Sequence, residues 1–170
     1  MTRAIRVVGD IAVIPLTRGY EAVIDLIDLP LVAGHLWFVE LAGKQRYAVR
    51  TDRSNGKQRR LRMHRVILGL EDQAIGRNLG DHCDGDGLNN RRINLRPATK
   101  SENNWNARTR KDSSTGLRGV HYLKRAKVWQ ARIMSNGKRI TLGNHRSPEA
   151  ASAAYAKASS ELRGEFGRAA

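Results

Sequence analysis

The sequence predicts an α+β fold in three parts: a small β-rich N-terminal region, a strand–loop–strand–helix module, and a three-stranded antiparallel sheet backed by one helix. Three observations lead there. Short apolar runs broken by Gly, Pro and Asn-Gly turn signals fill residues 1–60. A Gly-rich polar loop leading into a helix start lies within residues 61–108. A polar stretch at 109–116 then precedes three strand-like runs and one Ala-rich helical stripe within 117–170, and makes the best domain boundary.

In the first part, Ile11–Leu16 is an apolar run closed by the Thr17-Arg18-Gly19 turn. Tyr20–Leu29 alternates apolar and polar residues up to Leu29-Pro30 and reads as a strand. Gln45–Thr51 reads as another strand, with Arg53-Ser54-Asn55-Gly56-Lys57 as a hairpin signal. Met63–Leu70 reads as a short helix ended by Gly69. Thr99-Lys100-Ser101-Glu102 is a capping box that opens a helix over 99–108.

In the last part, Arg118–Leu123, Val128–Met134 and Arg139–His145 read as strands, the last two joined by a tight turn at Ser135-Asn136-Gly137-Lys138. Alternation turns Trp129, Ala131 and Ile133 toward the helix, and Gln130, Arg132 and Met134 away from it. In the third strand Ile140 and Leu142 are expected inward, Arg139 and Thr141 outward. Ser147 caps a helix with Pro148 at its first position. Its apolar stripe runs through Ala150, Ala151, Ala154, Tyr155, Ala158 and Leu162 and stops at Gly164.

The chain has 170 residues and a formal net charge of +15, unevenly placed. Residues 1–40 hold 3 Lys/Arg and 5 Asp/Glu; the remainder holds 28 and 11. Most of the chain is a polycation, and its natural partner is a polyanion such as nucleic acid. A membrane is the weaker option, since no long apolar run appears. The single cysteine, Cys83, rules out an internal disulfide and a Cys-cluster zinc site, and is expected as a small buried filler. Without a visible signal peptide, the expected setting is the cytoplasm of a bacterial or phage-infected cell.

The chemistry concentrates between Asp81 and Asn103. This stretch holds the pair Asp81-His82, the loop Cys83-Asp84-Gly85-Asp86-Gly87, the step Asn94-Leu95-Arg96, and a helix start carrying Asn103. That order offers a general base, a hard-cation ligand beside it, a tight turn, and a second ligand brought back by a helix. It reads as a phosphodiesterase centre. A calcium loop does not fit: the twelfth position counted from Asp81, Asp84 or Asp86 falls on Arg92, Leu95 or Pro97, never on Glu. His64 lies near the site in sequence and could touch phosphate, but is expected rather as a packing or hydrogen-bonding residue.

The stretch from about residue 60 to 108 resembles the HNH nuclease motif, the ββα-metal fold, in the variant of phage and intron homing endonucleases. Leu16-Thr17-Arg18-Gly19, Val23-Ile24-Asp25, Trp37, Tyr47-Ala48 and Met63-His64-Arg65 resemble, more loosely, the N-terminal part of such phage enzymes. The resemblance implies that His82 is the general base and that Asp81 and Asn103 hold one divalent cation, Mg²⁺ with Mn²⁺ tolerated. It implies that Asn94 pins the loop and so orients His82, with Asn90 as further loop support. Arg91, Arg92 and Arg96 are expected as phosphate clamps.

Arg118-Gly119-Val120, Trp129-x-Ala131-x-Ile133, Gly137-Lys138, Leu142-Gly143 and Glu149-Ala150-Ala151-x-Ala153-x-Tyr155 resemble the Apetala-type DNA-binding domain of plant ethylene-response factors. The resemblance implies that the sheet lies in the major groove of double-stranded DNA. Its expected contacts are Arg118, His121, Lys124, Arg125, Lys127, Gln130, Arg132, Arg139 and Thr141. His121 and Leu123 stand where plant members carry arginines, so the plant target sequence does not transfer. The reading is therefore a site-specific, metal-dependent DNA endonuclease of the homing type, acting as a monomer on DNA and nicking by default. The competing reading is a non-catalytic DNA-binding protein, a regulator or a decayed nuclease. RNA is disfavoured because its deep, narrow major groove excludes a sheet.

Overall fold

The computed structural model describes residues 4–53, 56–70, 79–107, 115–135 and 137–167. The expected hairpin positions 54–55, linker positions 109–114 and turn residue Asn136 lie outside the described residues. The fold is α+β, as expected, and the chain divides into a unit of residues 1–100 and a unit of residues 101–170.

In the first unit, β1 (Arg6–Val8), β2 (Ile11–Pro15) and β3 (Glu21–Asp25) form an antiparallel meander. The alternation of β2 buries Ala12 and Ile14. The turn before β3 needs two left-handed residues in succession, Arg18 at φ 60° and Gly19 at φ 74°. The strand expected to run to Leu29 ends at Asp25, followed by a 3₁₀ turn and the short helix α1 (Leu29–Val32). Pro30 in the first turn favours that helix start, and the Asp25 carboxylate is taken by arginines described below.

A second sheet holds β4 (Phe38–Ala42), β5 (Gln45–Asp52) and β6 (Arg59–Arg62), all antiparallel. Helix α2 (Met63–Ile67) follows at once and is buried along its length. The strand β7 (Leu79–His82) pairs antiparallel with β9 (Leu95–Ala98), while β8 (Asn89–Asn90) adds in parallel to β3. One core runs from Ile14 and Ile24 through Trp37 and Leu61 to Met63, Ile67 and Leu95. Residues 1–60 and 61–100 are therefore one folding unit and not separate modules, because β8 and α2 complete the sheets and core that the N-terminal strands begin.

Helix α3 (Lys100–Asn106) lies at the start of the second unit, Ser101–Ala170. The strands β10 (Val120–Leu123), β11 (Val128–Ser135) and β12 (Lys138–His145) form an antiparallel sheet. It is backed by α4 (Pro148–Arg163), whose Ser147 cap accepts from Ala150 N at 3.2 Å. Ala131, Ile133, Ala151 and Tyr155 are buried between sheet and helix. Ile140 departs from its expected inward place: it lies opposite Ile133 on the edge strand β12 but stays 39% exposed. A bulge sets Ala131 against Gly143 and Arg132 against Thr141, so Leu142 is the extra residue. Among the described residues, no helix is long and apolar enough to cross a membrane.

Candidate active site

Asp81 and His82 are the last residues of β7 and pair regularly, Asp81 with Arg96 and His82 with Leu95. Successive residues of a strand point to opposite faces. The two side chains accordingly enter different surroundings, and both are buried. The His82 Nε2 lies 3.2 Å from Asn90 Oδ1. The Asn90 amide is oriented in turn, because its Nδ2 donates to the Leu88 carbonyl at 3.1 Å. That network turns the amide oxygen toward His82, where it can accept from an Nε2–H. Asn90 is fully buried and is the direct partner of His82.

The His82 ring meets the His64 ring edge-on, with centroids 4.8 Å apart, and the Tyr47 ring at 6.0 Å. His64 fits because Gly80 lacks a side chain: a Cβ there would stand 2.3 Å from His64 Cδ2. Burial pushes both imidazoles below their ordinary value. For His64 the neighbouring His82, Arg62 and Arg65 add to this; for His82 the Asn90 bond and the Asp84, Asp81 and Asp86 carboxylates oppose it without offsetting it. His82 is thus a neutral base at neutral pH.

Asn94 closes the loop that follows. Its Oδ1 accepts from Asp84 N at 3.0 Å, and its Nδ2 donates to Asp84 Oδ1 at 3.0 Å and to the Asn89 carbonyl at 2.7 Å. Its backbone oxygen accepts from Cys83 N at 2.8 Å. The acidic loop residues build turns: Asp84 Oδ1 accepts from Asp86 N, and Asp86 Oδ1 from Leu88 N. Gly85 takes φ 75°, whereas Gly87 is required for a different reason, a close approach that would put a Cβ 2.2 Å from the Arg46 carbonyl oxygen. Cys83 is exposed and not the buried filler expected, because it follows the last core-facing strand residue and already belongs to the turn.

Asp81 offers a hard oxygen donor, but its Oδ2 already accepts from Arg96 at 2.8 Å and 3.0 Å in a buried pair. A cation held there would share the carboxylate with a guanidinium. No group of three His, Cys, Asp or Glu capable of holding a metal occurs among the described residues. Asn103 lies on α3, in the second unit.

The three arginines expected as phosphate clamps are held by carboxylates. Arg91 pairs with Asp25 at 2.7 Å and Asp10 at 2.8 Å, and Arg92 forks onto the buried Asp28 at 2.6–3.0 Å. Arg96 is buried on Asp81. The N-terminal acidic excess is consumed here: it staples the loop after β8 to the first sheet. These arginines brace the site; they do not present an open anion surface.

In the second unit, Arg118 also departs from its expected DNA contact. Its guanidinium donates to the carbonyls of Asn104, Trp105 and Ala107, at 2.7 Å each, and so caps the C-terminal end of α3. The outward sheet face carries His121 opposite Gln130, Arg132 opposite Thr141, and Arg139 opposite Met134. Arg132 and Asn144 both bond Gln130. Lys124, Arg125 and Lys127 are exposed in the turn between β10 and β11. Sequence reasoning missed Tyr47 as a neighbour of His82, for which the Tyr47-Ala48 pattern was the available signal, whereas His64 packs beside the site as expected.

No family model matches the chain, and no solved structure matches it. Two curated proteins are similar. An uncharacterized HNH endonuclease of Acanthamoeba polyphaga mimivirus is 30% identical over 151 residues, 88% of this chain and 74% of that protein. Protein 3.8 of Escherichia phage T7 is 34% identical over 88 residues, 52% of this chain and 72% of that protein.

Proposed function

The chain belongs to the HNH endonuclease family, and from that premise we propose that it hydrolyses phosphodiester bonds of double-stranded DNA with His82 as general base and one divalent cation. The observation that carries this reading is the buried His82 imidazole, whose Nε2 lies 3.2 Å from the Oδ1 of a fully buried Asn90 amide. A neutral, immobilised imidazole can take a proton from water as that water attacks phosphorus. Asn94 ties Asp84 to Asn89 and thereby holds the loop that presents Asn90. Asp81, and by resemblance Asn103, are the residues that would hold the cation. When bound, it would supply charge stabilisation at the phosphate and the leaving oxygen.

The second unit then serves as the duplex-binding module in the manner of the Apetala-type domain. Its outward face supplies His121, Gln130, Arg132, Arg139 and Thr141, and its first turn supplies Lys124, Arg125 and Lys127 for phosphates. One catalytic centre per chain predicts a nick, and homing-type site specificity follows from the same resemblance. The test is supercoiled plasmid carrying the gene's flanking DNA, incubated with Mg²⁺, Mn²⁺ or EDTA. Metal-dependent open circles from wild type and none from His82→Ala are expected. If neither protein cuts with any divalent metal while both shift the DNA, the chain is a non-catalytic DNA-binding protein.

A further inference from the structure

We infer that Arg62, together with Arg60, forms a phosphate-contacting edge beside His82, so that the β6 edge of the β4–β5–β6 sheet carries the DNA backbone past the candidate active site. This inference takes its partner, duplex DNA, from the nuclease reading. Its residues come from the geometry.

The Arg62 guanidinium carbon stands 4.1 Å from the centroid of the Tyr47 ring. That ring lies 6.0 Å from His82 and 5.9 Å from His64, centroid to centroid. A cation stacked on an aromatic face keeps its planar edge for hydrogen bonding while losing freedom of position. Arg62 is thus held one ring away from the general base. Arg60, two residues earlier on β6, shares its side of the sheet.

Charge decides which arginines can meet a phosphate. Arg91 and Arg92 face three carboxylates, Asp10, Asp25 and Asp28, a local balance of −1. Arg96 and Asp81 balance to zero and are buried. Arg60 and Arg62 share one carboxylate, with Glu40 Oε1 3.0 Å from Arg60 and Oε2 3.0 Å from Arg62, a balance of +1. Their side chains are 66% and 38% exposed. Residues 38–62 as a whole hold 8 Lys/Arg against 2 Asp/Glu. Glu40 is only 20% exposed, so a phosphate oxygen meets the exposed edges of the two guanidinia and leaves the carboxylate between them in place.

The test uses the full chain. Wild type, Arg60→Gln, Arg62→Gln, Arg62→Lys and, as a charge control, Arg6→Gln are titrated onto a fluorescent duplex across a series of NaCl concentrations. Folding of each is checked by its thermal melt. Arg60→Gln and Arg62→Gln are each expected to reduce the slope of log K against log[salt] by about 1. Arg62→Gln should also slow metal-dependent nicking at saturating protein by about tenfold or more. Arg62→Lys should restore the slope but only part of the rate. Arg6→Gln should leave the slope unchanged. Wild-type slopes in both Gln variants, or an equal loss in Arg6→Gln, overturn the inference. If wild type cuts nothing with any metal, the nuclease reading fails, and the slopes still decide this one.

Discussion

Replacing Asn94 by Ala tests how much of the candidate active site is held by one buried amide. Three side-chain hydrogen bonds disappear, two to Asp84 and one to the Asn89 carbonyl. A net intramolecular hydrogen bond is worth about 1 kcal/mol, and a buried group left unsatisfied costs about 1–3 kcal/mol. Asp84 is exposed, so water can replace its share, while Asn94 itself is 7% exposed. The expected destabilisation is therefore about 2–3 kcal/mol. In a unit of this size it corresponds to a drop in Tm of roughly 10–20 °C. Thermal and urea unfolding measure it. Nicking assayed well below the variant's Tm should fall further than the folded fraction does, because the freed loop carries Asn90, the partner of His82. Asn94→Asp keeps the acceptor for Asp84 N but loses both donors and sets a carboxylate beside that of Asp84, so at pH 8 it should be no milder. A Tm within about 3 °C of wild type together with nicking within about twofold would refute the reasoning.

His64 predicts an acid-sensitive fold. Its folded-state value is depressed, so the unfolded chain takes up a proton below about pH 6.5 that the folded chain refuses. Stability is full above that pH and falls as pH drops below it. Urea unfolding at pH 7.5 and 5.5 should show that loss shrinking in His64→Phe; an unchanged difference counts against it. Arg92→Ala strands the 1% exposed Asp28 without its fork and should cost about 2–4 kcal/mol by chemical unfolding. The double change with Asp28→Asn should cost less than the sum of the single changes. Gly119→Ala puts a Cβ 2.2 Å from the Tyr155 ring at φ 69° and should destabilise the second unit by roughly 2–4 kcal/mol. Gly116→Ala, at φ 66° with open space around it, should cost only about 1 kcal/mol in the same melt.

The sequence by itself determined what is local. Caps, turn glycines and hydrophobic periods act over a few residues, so the β11–β12 turn, the Ser147-Pro148 helix start and the Gly164 stop were legible before any contact was known. The order Asp81, His82, Asn94 likewise singled out the loop that the Asn94 amide closes. What only the tertiary structure decided is which charged and polar groups find one another across the chain. Arg91 and Arg92 meet Asp25 and Asp28 from more than sixty residues away and become braces. Arg118 reaches three helix-end carbonyls and leaves the expected DNA face. Asn90 stands at the His82 nitrogen while Asn94 holds the loop behind it. Arg62 stacks on Tyr47 one ring from His82. Each outcome depends on long-range packing, because an arginine or asparagine has much the same local preference whether it ends on a carboxylate, a carbonyl or a ring, and only the distant strand beside it settles which.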